Sequence, residues 1–244
     1  PALWEVPAVY AACARELEGS LVRPGEAGHE NRPGVIIAHD FLGVGEYPRQ
    51  VARRLATAGY AVLVADFYGR GRRPADVEEA NRFAMEVRAG PVGTREAMTA
   101  AYEYLRRSPG VAPEQIAIIG YSVGGVAALE LARAGAELTA VIGLWPILDS
   151  TRATDATPIR AEVLVVVGAL DPLTPEARVD AFRAELERES TPHRIEVLPG
   201  VAHAFTVPAV GTDVSTGFAY DAAAEAPAWR AVDALLQRVA PAAH

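Results

Sequence analysis

The sequence predicts an α/β domain in which a mostly parallel central sheet carries helices on both faces. Short apolar runs recur along the 244-residue chain and alternate with longer segments of helical pattern. Strands that are apolar throughout are typical of parallel sheets covered on both sides. The predicted strands are residues 35–38, 61–65, 116–119, 139–145, 163–167 and 193–198, and the predicted helices are residues 50–58, 76–89, 93–107, 125–134, 175–189 and 218–239.

The first 34 residues depart from this alternation, because they are polar and contain turn-forming Pro-Gly pairs. Segments 11–17 and 21–22 are β-like, and we expect a peripheral hairpin at one sheet edge with no chemistry of its own. Residues 149–160 are predicted to form a polar loop. No internal repeat, linker or change in composition divides the sequence, so we predict one domain over residues 1–244.

The composition argues against several classes of function. A net charge of −8 disfavours nucleic acid as a partner. The sequence contains no long apolar run and no basic-then-apolar signal segment, so we expect a soluble, cytoplasmic protein without a membrane partner. A single cysteine, Cys13, allows no internal disulfide, and no group of histidine, cysteine and carboxylate has metal-ligand spacing. A monomer and a homodimer both remain open.

The segment Gly120-Tyr121-Ser122-Val123-Gly124 joins an apolar strand to an Ala/Leu-rich helix. In this context the pattern G-x-S-x-G predicts a tight turn that projects the serine from the carboxyl end of the strand. The two glycines allow the strand and the helix to approach closely. Free N–H groups and the dipole at the helix N-terminus favour a developing oxyanion beside the serine. We therefore predict Ser122 as a nucleophile rather than an idle residue of a Gly-rich turn.

Two further strand-end residues supply what a serine nucleophile needs. A histidine can accept the hydroxyl proton and later deliver it to the leaving group, and a carboxylate fixes the imidazole tautomer. Asp171 and His203 each follow a predicted strand, and the chain order Ser122, Asp171, His203 is that of an α/β-hydrolase fold. The alternative for Asp171, which precedes a proline, is a turn and helix cap only.

Four other histidines compete with His203 for the role of base. His39 also follows a strand, but its place in the first half of the chain suits the loop that supplies an oxyanion hole. The remaining three are expected at solvent-exposed positions: His29, His193 and His244.

The loop after the first apolar strand is expected to support the nucleophile. Asp40 either orients Ser122, helps manage its proton, or only caps the loop. The backbone N–H groups of Phe41 and Val123 are the predicted oxyanion donors. Three aromatic residues at strand ends are either walls of a substrate-binding acyl pocket or rim packing: Phe67, Tyr68 and Trp145.

These motifs together resemble the dienelactone hydrolase family of α/β-hydrolases over nearly the whole chain. The resemblance is carried by residues 39–43, 53–60, 65–69, 120–125, 168–171, 200–205 and 220–223. It implies hydrolysis of esters or enol-lactones without a metal or organic cofactor.

The chain departs from the pattern of the family it resembles at several positions. Ser122 stands where typical members carry cysteine, and the shorter Asp40 stands where they carry an activating glutamate. Of the family's two substrate-carboxylate arginines, one corresponds by the resemblance to Arg82, whereas the position four residues after His203 is Val207. These departures weaken the expectation of a dienelactone substrate but not of acyl transfer. The serine is either native or a replacement for cysteine.

Three functions are compatible with this sequence. The first is a serine hydrolase that cleaves a small ester, lactone or enol-lactone through an acyl-enzyme, with Ser122, His203 and Asp171 as its triad. The second is a lyase, cyclase or isomerase on the same scaffold, favoured by Asp40 beside His39 and by the missing arginine. The third is a non-catalytic binding protein, since a fold alone fixes no function. The complete set of three triad residues favours the first.

Overall fold

The computed structural model describes residues 2–25, 31–149 and 157–242, which form one eight-stranded sheet flanked by helices. The strands are β1 (Leu3–Ala12), β2 (Arg15–Pro24), β3 (Arg32–Ala38), β4 (Ala61–Ala65), β5 (Val111–Ser122), β6 (Ala140–Pro146), β7 (Glu162–Gly168) and β8 (His193–Leu198). The α-helices of the described residues are α1 (Glu46–Thr57), α2 (Val77–Ala89), α3 (Pro91–Arg106), α4 (Val123–Arg133), α5 (Glu176–Arg188) and α6 (Ala222–Val239). Two short 3-10 helices, Pro208–Val210 and Val214–Thr216, lie between β8 and α6.

The sheet has the order β1-β2-β4-β3-β5-β6-β7-β8, and β3 to β8 are all parallel. The hairpin β1–β2 adds two antiparallel strands at one edge, as predicted. Its predicted limits were wrong, because the turn lies at Cys13, inside the segment expected to be a strand. β1 exposes Trp4, Pro7, Val9 and Ala11, and β2 exposes Arg15 and Glu16, so neither strand is buried at every position as β4 is.

Alternate residues of the inner strands belong to different cores. Ile36 of β3 belongs to the core that includes residues of α2, α3, α4 and α5, whereas its neighbours Val35 and Ile37 belong to the core that includes residues of α1 and α6. Successive side chains of a strand point to opposite faces of the sheet, so both faces of an apolar strand need a helical cover. This arrangement explains why the central strands are apolar at every position and confirms the prediction of helices on both faces.

The predicted inner strands and the helices all occur, with errors at their ends. The largest helical errors are at the starts of α1, expected at residue 50 but beginning at Glu46, and of α6, expected at residue 218 but beginning at Ala222. Asp221 caps this helix, because its carboxylate accepts the N–H groups of Ala223 and Ala224. The predicted loop 149–160 lies partly outside the described residues. None of the helices described combines the length and apolar character needed to cross a membrane.

Candidate active site

Ser122 lies at the junction of β5 and α4, in a backbone conformation that few non-glycine residues adopt. Its φ of 50° and ψ of −121° put it in the left-handed half of conformational space. The helix begins at the next residue, Val123, so the serine side chain stands beside the helix N-terminus. A strained turn of this kind persists only when the surrounding packing holds it.

The packing that holds the turn is a close approach of backbone to backbone at Gly124. A Cβ atom at this position would lie 2.1 Å from the carbonyl oxygen of Ala38 and 2.5 Å from that of His39. Only glycine therefore lets α4 sit directly on the end of β3. The contact also fixes the loop that begins at His39 relative to Ser122.

The structure brings the three predicted triad side chains into a hydrogen-bonded chain. Nε2 of His203 lies 3.0 Å from Oγ of Ser122, and Nδ1 of His203 lies 2.7 Å from Oδ2 of Asp171. All three residues are buried. The second carboxylate oxygen of Asp171 accepts the backbone N–H groups of Leu173 at 2.8 Å and Thr174 at 3.2 Å. These bonds hold the carboxylate in one orientation, so it can fix the imidazole in turn.

The loop that carries His203 is tied to the segment before α6. The N–H of His203 donates to the carbonyl of Gly217 at 2.9 Å, and its carbonyl accepts from Ala219 at 3.0 Å. The imidazole packs edge-on between the rings of Trp145, at 5.0 Å, and Phe218, at 5.3 Å. Residue 218, expected as the start of a helix, is thus a wall of the site.

Asp40 places a second carboxyl group in the site. It is only 5% exposed and lines the same cavity as Ser122 and His203. Burial raises the pKa of Asp40 to about 6, against smaller opposing effects from the N–H of Leu42 and the charge of His203. The N–H of Leu42 donates to Oδ1 of Asp40 at 2.9 Å. The carboxyl group therefore both caps the loop and faces the reacting groups, which the sequence had left as alternatives.

His39 does not line the cavity that contains Ser122. Its ring stacks on Phe67 with centroids 3.8 Å apart, and its Nδ1 lies 2.6 Å from the carbonyl oxygen of Asp40. Burial lowers the pKa of His39 to about 4, so the imidazole is neutral near pH 7. These contacts hold the loop that carries Asp40, and a supporting role for His39 in the site stays a prediction. His193 contacts the carbonyl of Thr191 at the start of β8, and His29 and His244 lie outside the described residues.

The residues of both predicted oxyanion donors, Phe41 and Val123, line the cavity that contains Ser122. Val123 is the first residue of α4, and the N–H groups of a first helical turn have no partner within the helix. Phe41 lies within a turn closed by the Gly43 N–H, which donates to the Asp40 carbonyl at 3.2 Å. Both residues therefore stand where donors to a developing oxyanion are needed, and their role stays a prediction.

The structure places one of the three predicted substrate-binding aromatic residues in the cavity wall and the other two outside it. Trp145 lines a cavity of about 720 Å³ that contains the Ser122 hydroxyl and is mostly apolar. Phe67 and Tyr68 are buried behind it: Phe67 supports His39, and the Tyr68 hydroxyl donates to the Phe41 carbonyl at 3.1 Å. Neither residue lines this cavity, so these contacts support packing as their role, and a part in substrate binding stays a prediction.

Arg82, which the resemblance gave as a substrate-carboxylate arginine, does not line this cavity. Its guanidinium is exposed and pairs with Glu79 at 3.1 Å on the outer side of α2. The arginine that lines the cavity is Arg88, whose Nε lies 2.6 Å from Oδ2 of Asp149. The cavity face of α2 follows the helical spacing 77, 81, 84, 85 and 88, a pattern that could have separated these two arginines.

Thr206 is a buried hydroxyl that the sequence did not reveal. Its Oγ1 accepts the indole N–H of Trp145 at 2.8 Å and lies 2.5 Å from the Tyr47 hydroxyl. This contact fixes the indole that packs against His203. No three histidine, cysteine, aspartate or glutamate side chains in the described ranges are grouped so that they could hold a metal ion.

Comparison with known proteins agrees with this architecture. A sequence model described as the dienelactone hydrolase family matches residues 17–240. A Bradyrhizobium sp. protein described as a probable 2-oxo-3-(5-oxofuran-2-ylidene)propanoate lactonase is 27% identical over 197 residues, 76% of this chain and 77% of that protein. A solved dienelactone hydrolase-like promiscuous phosphotriesterase from metagenomic libraries has a TM-score of 0.91 at 32% identity, over 98% of this chain and 99% of that one. A structure described as m3DLH has a TM-score of 0.92 at 33% identity, with the same coverage. The predicted α/β-hydrolase fold is confirmed.

Proposed function

Because the chain belongs to the dienelactone hydrolase family, we propose that it cleaves a small ester, lactone or enol-lactone through an acyl-enzyme formed on Ser122. Membership of the family makes it a hydrolase of lactone or ester bonds. The observation that supports the finer statement is the position of His203, within hydrogen-bond distance of both Ser122 Oγ and Asp171 Oδ2. The single domain, the cytoplasmic location and the choice between monomer and homodimer stay predictions.

The reaction follows from these contacts. His203 Nε2 takes the proton of the Ser122 hydroxyl as Oγ attacks the carbonyl carbon, and Asp171 stabilises the resulting imidazolium. The carbonyl oxygen becomes negatively charged between the N–H groups of Phe41 and Val123. Collapse of this intermediate breaks the bond to the leaving oxygen, which takes the proton from His203. A water molecule, deprotonated by His203, then releases the acyl group and restores the serine.

Labelling and turnover together test the nucleophile. We expect a fluorophosphonate probe to label the wild-type protein and to fail with Ser122→Ala, and p-nitrophenyl acetate hydrolysis to fall with it by at least a thousandfold. Ser108→Ala is the matched control, since its hydroxyl only donates to the Tyr104 carbonyl at the end of α3. Equal labelling of Ser122→Ala and wild type would refute the assignment. A product without oxygen from ¹⁸O-labelled water would favour a lyase, cyclase or isomerase instead.

A further inference from the structure

The rim of the active-site cavity gathers exposed apolar side chains. Leu42 follows β3, Val77 and Met85 belong to α2, and Val210 and Phe218 lie between β8 and α6, yet all five line this one opening and are exposed. Protein surfaces normally carry such residues singly, whereas a contiguous exposed patch marks a binding site. Because the patch is continuous with the cavity that contains Ser122, its occupant is the substrate of that serine.

The charges of the cavity do not favour a negatively charged occupant. Among the described lining residues, Arg88 carries the only guanidinium or ammonium group, and Asp149 binds it at 2.6 Å and 3.1 Å. Arg178 pairs with the same carboxylate from α5. The Asp40 carboxyl group is buried and lines the same cavity as Ser122. Arg88 and Arg178 share the single negative charge of Asp149, and the ionised Asp40 carboxylate balances the remaining positive charge. An entering carboxylate would therefore meet no net positive charge in exchange for its lost hydration.

We propose that this site selects uncharged esters or lactones bearing an apolar group of several carbons, and that it discriminates against substrates carrying a carboxylate. The inference rests on the proposed function and names its substrate class. It separates this chain from the Bradyrhizobium relative, whose named substrate is a propanoate. The cavity of about 720 Å³ is within the usual size of a small-molecule site, about 300–1,000 Å³.

Two series of p-nitrophenyl esters test the proposal, with release of p-nitrophenolate as the readout and Ser122→Ala as the background. From acetate to hexanoate we expect kcat/KM to rise about two- to fourfold for each added methylene, since each buries apolar area. The pentanoate and the glutarate monoester differ only in a terminal methyl or carboxylate, and we expect the pentanoate to be favoured at least tenfold. A flat length series, or a glutarate ester hydrolysed as well as the pentanoate, would overturn the proposal.

A substitution at the rim tests the electrostatic cause. Met85 is exposed on α2, so Met85→Lys adds a cation at the opening without disturbing the core, and Met85→Gln is the uncharged control. We expect the lysine variant alone to raise the glutarate-to-pentanoate ratio by about two- to fivefold, and less at high salt. Equal ratios in the two variants would contradict the charge argument. If none of these esters is turned over above the Ser122→Ala background, the proposed function fails, and this inference with it.

Discussion

The carboxyl group of Asp40 is buried beside the proposed nucleophile, and the variant Asp40→Asn measures what that burial costs. Burial raises its pKa from 3.8 to about 6, so the folded protein keeps this proton to a higher pH than the unfolded chain does. Between pH 4 and 6 the unfolded chain loses its proton first, and stability therefore falls as the pH rises. Above pH 6 the penalty is complete, and two pKa units correspond to about 3 kcal/mol.

Asparagine removes this penalty while retaining the oxygen that accepts the Leu42 N–H. We expect Asp40→Asn and wild type to unfold with similar free energies at pH 4, and the variant to be more stable by up to about 3 kcal/mol at pH 7.5. Urea unfolding at half-unit pH steps measures the difference. Asp180→Asn on the exposed face of α5 is the control, because its carboxyl group is not buried.

The pH dependence separates this explanation from a general effect of the substitution. A stability gain that is equal at pH 4 and pH 7.5 would show that burial of the charge is not its cause. A loss at pH 7.5 would refute the reasoning altogether. We expect esterase activity to fall in the same variant, because a group kept at a cost in stability inside an active site is usually needed there.

Three further predictions concern the supports of the site. Thr206→Val leaves the indole N–H of Trp145 without its acceptor and should lower the free energy of unfolding in urea by about 1–3 kcal/mol. Thr206→Ser keeps the hydroxyl and should retain most of the wild-type stability. Gly124→Ala places a Cβ 2.1 Å from a carbonyl oxygen and should lower the free energy of unfolding by about 3 kcal/mol or more, with loss of activity. Gly93→Ala, inside α3, is the control and should raise the free energy of unfolding by about 0.5–1 kcal/mol. Thermal unfolding measures both. Asp171→Asn should reduce kcat/KM by about 10⁴-fold with an unchanged circular dichroism spectrum, because the asparagine stabilises the wrong imidazole tautomer.

The sequence predicted the inner strands well because both faces of each are covered. Ala61–Ala65 is buried at all five positions, so no polar residue interrupts its pattern. The two hairpin strands, β1 and β2, were predicted poorly because exposed positions interrupt them. Arg15–Pro24 begins with two consecutive exposed charged residues, and Leu3–Ala12 contains Pro7, which edge strands tolerate. The pairing of β1 with β2 determines where these strands begin and end. The local sequence pattern carries no information about that pairing.

The reacting residues were predictable and most of the cavity wall was not. Ser122, Asp171 and His203 follow strands, and the carboxyl ends of parallel strands meet at one edge, so their meeting follows from topology. The wall comes from α2 and from the segment before α6. Which face of α2 meets the cavity depends on how the helix packs. Phe83 and Val87 face the core, which turns Arg88 inward and leaves Arg82 in solvent.

Strain in the described backbone is concentrated where the proposed chemistry lies. Five of its non-glycine residues have positive φ, and three of these, Ser122, Trp145 and Ala204, line the cavity. Each such conformation costs about 1–3 kcal/mol and persists only when the surrounding structure fixes it. Three contacts fix these residues: the close approach of Gly124 to the Ala38 carbonyl, the Thr206 hydrogen bond to Trp145, and the backbone bonds between His203 and the segment before α6. The same contacts that hold these residues in strained conformations also set the distances between the serine, the imidazole and the carboxylate.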